Sequence, residues 1–509
     1  MLAKHNRWHN TGTVNSRNSH KILSLILACI APAVCARGYE ASDVLESTLL
    51  HSLPYNYTDS LSLTSPASKS YLHDAALSSI AAGWQTTGDA RNGFFKASSY
   101  KPLDSARRHT VWGAASYQGG YLRPAGMAEC ADYATVWPYA LADTVGGRLR
   151  AESYAFSGGY GHRGAVVDFG AQLSYKAELT YRRRDPRPRN VAGTLALQGA
   201  VGVHLSQTYT ISATLGISSY KQSSSIAFYS ALGEPVVYHL TGLGTAYARF
   251  NSLGKTTRYR GHSFDGAISL LPKRRAGVFA TVAVSSFAYD WLLVDLNSLP
   301  LATLNHKKVS FEAGWRTRPE GNYLSASAIG SLWRRSGTEH IFGAAEADVY
   351  PEIASLDMFR ADGSVFGAKA AAVLQIIDPL TLSVTASGTY RHGMESYVEP
   401  ARRLQCDAFQ TEVSPAAYFR LKHQLISLGF SYQNFSPAKR SISGFGDSTG
   451  AVVNNTISLF DMATKAYNLI GARLRYDHSI GSALAVGISL SVSHSNGDTE
   501  FSAAIIVSL

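Results

Sequence analysis

Beyond residue 36 the chain has no apolar run of helical membrane length, about 20 residues, which excludes a helical membrane protein. Cysteine is scarce, with four in 509 residues, no Cys-x-x-Cys pair and no zinc-ligand spacing. Charge is scarce too: Asp, Glu, Lys and Arg make up 16% of the residues. Four of the 47 bases (Lys4, Arg7, Arg17, Lys21) precede residue 37, leaving 43 against 36 acids. That excess is spread over loops and lies on no single motif, so nucleic acid is not an expected partner. Nucleotide-loop, Walker and EF-hand patterns are missing. The 16 histidines show no metal spacing, and no metal or cofactor is expected.

What is present is alternation. Leu484, Val486, Ile488, Leu490 and Val492 fall on one face of a strand, and Ala485, Gly487, Ser489, Ser491 and Ser493 on the other. Ile426, Leu428, Phe430 and Tyr432 oppose Ser427, Gly429, Ser431 and Gln433 in the same way. A soluble antiparallel sheet also alternates, but its outer face needs Lys and Glu. Here the small face carries Ser, Thr, Gly and Gln. Tyr390, Tyr432 and Tyr476 at strand ends suit an aromatic girdle at a lipid interface. The pattern predicts an all-β, antiparallel transmembrane barrel.

Seventeen segments read as strands: 110–117, 148–160, 165–181, 191–206, 208–220, 236–250, 256–271, 277–289, 308–318, 323–334, 366–377, 380–390, 408–421, 425–435, 467–478, 482–493 and 500–509. Single-chain bacterial barrels have even counts, so about sixteen strands are expected, with fourteen to eighteen open. Tight turns such as 378–379 and 422–424 alternate with long connections at 335–365, 392–407 and 436–466. The alternation slips by one strand between 220 and 305. The terminal segment Phe501–Leu509 is like an outer-membrane assembly signal, although Leu509 replaces the usual aromatic.

Residues 1–36 read as a secretory signal. Lys21 flanks an apolar core from Ile22 to Val34, and Val34-Cys35-Ala36 fits a cleavage site. The alternatives are a short uncleaved anchor, or lipidation at Cys29. Residues 37–105 lack sustained alternation. A helix capped by Ser42 over 42–53, a Ser/Thr-rich loop and a helical turn over 73–82 are expected there. That segment would be a lumen plug or a periplasmic arm, with the barrel following over 106–509. Cys130 and Cys406 either pair or stay as two thiols.

Arg182, Arg183, Arg184, Arg187 and Arg189 form the densest charge cluster. Guanidinium matches phosphate oxygens bidentately, so these arginines are candidates for lipopolysaccharide phosphates, for anionic solutes in a pore, or for a solvated turn. Tyr133, Trp137 and Tyr139, among acids, are candidates for a ligand-contacting loop. Arg473, Arg475 and Asp477 share the small face of their strand and should point into the lumen, to tune selectivity or to join an internal salt network. His204 and Ser206, two apart on one face, raise a membrane hydrolase, but no linked acid is identifiable and no enzyme is expected.

The run Tyr181-Arg182-Arg183-Arg184-Asp185-Pro186-Arg187-Pro188-Arg189-Asn190 resembles an uncharacterised outer-membrane β-barrel family of Bacteroidota. So do Trp112-Gly113-Ala114-Ala115-Ser116-Tyr117 and Trp137-Pro138-Tyr139 with Asp143. The resemblance implies a fold and a bacterial outer-membrane location, with no activity to carry over. The expected function is a porin-like or substrate-selective channel for small solutes. The alternative is a surface barrel whose loops engage a glycan, lipopolysaccharide or a partner protein.

Overall fold

The computed structural model describes residues 77–508, apart from 88–89, 106–107, 123–125, 231–232, 274–275, 318–321, 348, 378, 447–448, 481–483 and 496–497. The expected signal segment, the helix over 42–53 and the start of the helical turn at 73 lie outside those residues. In chain order the first strands are β1 (Leu77–Thr87), β2 (Ala90–Pro102), β3 (His109–Leu122), β4 (Ala140–Ala142), β5 (Leu149–Arg163), β6 (Val167–Tyr181) and β7 (Arg187–His204). Next come β8 (Tyr209–Ala227), β9 (Tyr238–Gly242), β10 (Thr245–Ala246), β11 (Thr256–Pro272), β12 (Gly277–Leu293), β13 (Leu299–Arg316) and β14 (Tyr323–Phe342). The last are β15 (Glu352–Ile377), β16 (Leu380–Tyr397), β17 (Arg402–Leu421), β18 (Gln424–Ser443), β19 (Tyr467–Ile480), β20 (Leu484–Ser495) and β21 (Asp498–Ser508).

Eighteen of these form one antiparallel sheet that closes on itself. The seam is β1 against β21, running from Ser79 opposite Ser508 to Gln85 opposite Ser502. The short strands β4, β9 and β10 form a separate three-stranded sheet. Among the described residues no helix is long and apolar enough to cross a membrane, which says nothing of crossing by strands.

The wall carries its apolar side chains outward. Leu215, Ile217, Phe264, Ile268, Phe430 and Ile488 are all exposed on the outside, while their neighbours Thr214, Ser212, Ser269 and Thr281 are buried on the inside. An exposed apolar belt of this extent is unfavourable in water and favourable against acyl chains. Closure is the other requirement of such a surrounding, because an unpaired strand edge in hydrocarbon costs several kcal/mol for each backbone group.

Sixteen of the seventeen expected segments lie in wall strands, and two corrections bring the count to eighteen. The segment 236–250 is not a wall strand. Leu243 between Gly242 and Gly244 has positive φ, like both glycines, and this tight turn folds β9 back on β10. In return, β1 and β2 belong to the wall, so the barrel includes residues 77–102 and does not start at 106. The expected helical turn to residue 82 is therefore strand. β1 hides because small Ala82 lies between Ile80 and Trp84 on its outward face, with Ala81 and Gly83 on the inward one. In β2, the consecutive Phe94 and Phe95 blur the period.

The loops also differ from expectation. Segments 335–365 and 392–407 are mostly strand, and the true turns there are 343–351 and 398–401. β15 has 26 residues, roughly 85 Å along the strand, whereas about ten residues cross the hydrocarbon layer. This side of the wall rises well beyond the apolar belt. The three long connections that remain, 123–148, 228–255 and 444–466, all leave from one rim. The opposite rim has only short turns.

Candidate functional site

The three long connections turn inward. The first contains α1 (Tyr133–Val136) and β4, the second β9 and β10, and the third the helix α2 (Ala451–Ala463). Val136, Tyr139, Leu141 and Val237 in them are completely buried. Their partners are inward-facing side chains from strands spread around the wall, which places them in the lumen. Arg335 on β14 donates to the Trp137 carbonyl at 2.8 Å and the Ala134 carbonyl at 3.3 Å. Arg402 on β17 donates to the Leu243 and Gly244 carbonyls, both at 2.9 Å. Tyr259 on β11 donates to the Tyr139 carbonyl at 3.1 Å, and Tyr289 on β12 to that of Val136. The short helix α1, the residues after it and the β9–β10 turn leave carbonyls without backbone partners, and buried carbonyls need donors. Here the wall supplies them.

Arg182 locks the first connection. Its guanidinium meets Glu129 Oε1 at 2.6 Å and Asp143 Oδ2 at 3.2 Å, and its Nε donates to the Pro186 carbonyl at 2.8 Å. Both carboxylates are fully buried. Asp143 Oδ1 also accepts the amides of Val145 and Gly146 at 2.8 and 2.7 Å. Two buried acids thus share one guanidinium. Burial pushes the Glu129 carboxyl up to about 8, against the pull of Arg182 and with the repulsion of Asp143 added. Glu129 Oε2 has no hydrogen-bond partner. In the inner sheet, burial drives His239 on β9 down to about 4.

Between these inward elements and strands β14–β18 lies a cavity that opens to solvent. Trp137, Trp333, Phe435 and Phe460 supply aromatic surface, and Arg391, Glu395 and Asn455 supply polar groups. Its lining is mainly apolar with a few polar groups, the usual composition of a small-molecule site. Trp333 fits because Gly363, across from it on β15, has no side chain; a Cβ there would run into the indole.

The sequence candidates separate. Tyr133 and Trp137 line the cavity. Tyr139 does not; it is buried against Trp291 with ring centroids 5.6 Å apart. Arg182 is taken up by the two acids and is no anion contact. Arg183, Arg184, Arg187 and Arg189 are exposed, with Arg187 paired to Asp185 at 2.7 Å and lying over the Tyr229 ring. Arg475 pairs with Asp477 at 2.8 Å within β19. Neither these two nor Arg473 lines the cavity. Cys130 and Cys406 are not joined in a disulfide. His204 does have an acid, Asp168, at 2.9 Å, but its other ring nitrogen meets the Ala165 carbonyl, also at 2.9 Å. Ser206 Oγ instead accepts the Thr208 and Tyr209 amides that close its own turn. No group of His, Cys, Asp and Glu among the described residues could hold a metal ion.

Trp333, Arg391, Glu395, Phe435 and Phe460 escaped the sequence reading. Trp333, Arg391 and Phe435 face the lumen through strand parity, a signal that was available. Glu395 sits in the upper part of β16, in a stretch read as loop. Phe460 is on α2, and nothing local in the sequence says that a connection folds inward.

The profile of a family described only as a family of unknown function (DUF6850) matches residues 78–509. This chain belongs to that family. The match starts one residue into β1 and ends with the chain, so the family unit is the whole barrel with its inner connections. No protein of curated function matches. Among solved structures, the ferric preacinetobactin receptor BauA of Acinetobacter baumannii overlaps 86% of this chain and 80% of its own, at 9% identity and a TM-score of 0.39. A mutant of the ferric enterobactin receptor PfeA of Pseudomonas aeruginosa overlaps 85% and 80%, at 8% and 0.40. The ferric-catecholate import receptor Fiu of E. coli overlaps 86% and 82%, at 9% and 0.38. Overlap this loose carries no inference about cargo.

Proposed function

We propose that this DUF6850 protein is a bacterial outer-membrane barrel that takes a small solute into its lumen and passes it selectively. Eighteen strands leave room for an aqueous interior. Three connections folded into that interior argue against a wide, open diffusion pore. The observation that carries the reading is the cavity between those connections and strands β14–β18, with Trp137, Trp333 and Phe435 beside Arg391 and Glu395. The rim with the long connections faces outward in this reading, as long loops do in bacterial barrels. The protein acts as a conduit or receptor and not as an enzyme. The solute has an apolar body and at least one polar group.

Planar-bilayer conductance tests this. The wild type should show small, infrequent steps. Replacing 444–466 by a short turn removes α2, one wall of the cavity, and should give larger, more frequent steps. A large steady conductance from the wild type would make the protein an open pore. No steps from the trimmed variant would make it a sealed surface barrel.

A further inference from the structure

On one side of the wall, the outward positions just above the apolar belt are basic. On β7, Arg187 and Arg189 precede outward Val191, Leu195 and Leu197. On β8, Lys221 lies beyond Leu215 and Ile217. On β11, Arg258 and Arg260 precede Phe264 and Ile268, and on β13, Lys307 precedes Val309 and Phe311. The register brings like charges together: Lys221 is directly opposite Arg260, and Lys307 is directly opposite Arg334. Like charges facing each other across a ladder are destabilising unless something anionic lies between them.

The acids nearby do not cancel this patch. Asp290 is opposite Arg260 but forms no ion pair with it; it accepts the Thr303 hydroxyl. Asp362 pairs with Arg334 and Arg360. Arg189, Lys221, Arg258, Arg260 and Lys307 are exposed and have no ion pair among the described residues. On the far side of the wall, β18, β19 and β20 carry Asn434, Asn468 and His494 directly above their apolar positions, and of the two bases further up β18, Lys439 and Arg440, the second is paired with Asp461.

We propose that this patch, centred on Lys221, Arg258 and Arg260, docks the phosphorylated headgroup of an outer-leaflet glycolipid. This rests on the outer-membrane reading above. A free anion would need only the cations. An amphiphile also uses the apolar strip directly below them, and the two surfaces are continuous along β7, β8 and β11. Guanidinium and ammonium groups held at an interface suit phosphate oxygens, and Ser223, opposite Arg258, adds a hydroxyl at the same level.

The test uses the full chain in detergent micelles, with native mass spectrometry reading bound lipid. The probes are bisphosphorylated lipid A, its dephosphorylated form and inorganic phosphate. The wild type should hold the bisphosphorylated form and release the dephosphorylated one. The triple variant Lys221→Gln, Arg258→Gln, Arg260→Gln should bind about a hundredfold more weakly, each cation near an anionic lipid surface being worth roughly a factor of five. Lys307→Gln alone should cost about fivefold. Heat-modifiable gel migration confirms that each variant has folded. Equal binding of the two lipids, or unchanged binding by the folded triple variant, would overturn the proposal. Displacement of the lipid by millimolar phosphate would assign the patch to free anions. Protein that stays in solution without detergent sinks the outer-membrane reading itself; inserted protein without phosphate preference sinks only this site.

Discussion

Glu129 and Asp143 are two buried acids served by one base, and that imbalance has a pH signature. The Glu129 carboxyl lies at about 8 in the fold against an ordinary 4.5. A group that binds its proton more tightly when folded favours the fold at low pH, and this margin shrinks as pH rises from 4.5 through about 8. The first connection should therefore open more readily in alkali. Amide exchange over 127–145, corrected for intrinsic rates, should be faster at pH 9 than at pH 6, and Glu129→Gln should flatten that difference. An identical slope in the variant would remove Glu129 from the account. None of this was legible locally. Arg182 reads as the head of a basic cluster, but Glu129 and Asp143 are 53 and 39 residues away from it, and only folding shows that the cluster's first member turns inward while the rest turn out.

Among the elements, the wall and the inner connections follow different rules. A wall strand advertises itself through alternation, since one face meets an apolar medium and the other does not. That is why sixteen segments were legible, and why β1 and β2, with small or doubled side chains, were not. The inner elements are short and buried all round, so they have no periodicity to read. Their seats are cut into the wall by glycine. Gly337 on β14 faces the Tyr139 ring so closely that a Cβ would strike the phenol oxygen. Gly337→Val should push Tyr139 from its place beside Trp291 and destabilise the first connection by about 3 kcal/mol, the scale of losing a buried aromatic. Exchange over 133–142 should accelerate while the wall amides of β11 and β12 keep their protection. Uniform acceleration would mean that connection and wall unfold as one unit.

For the whole molecule, closure is the deciding property. β1 supplies the pairing for both β2 and β21, so removing 77–87 leaves two bare edges where lipid offers no hydrogen bonds. The shortened chain should fail to reach the heat-modifiable, protease-resistant barrel, whereas an N-terminal piece that merely plugged the lumen could be lost without that effect. A fully assembled barrel after the deletion would contradict the seam. By itself the sequence determined the all-β class and the lipid-facing and lumen-facing sides, because both follow from the two-residue period of a strand meeting two different media. Tertiary structure alone decided strands β1 and β2, the inward fold of three connections, the Arg182 clamp and the cavity. Those depend on which distant residues meet inside a closed cylinder, and a period along the chain holds no information about partners across it.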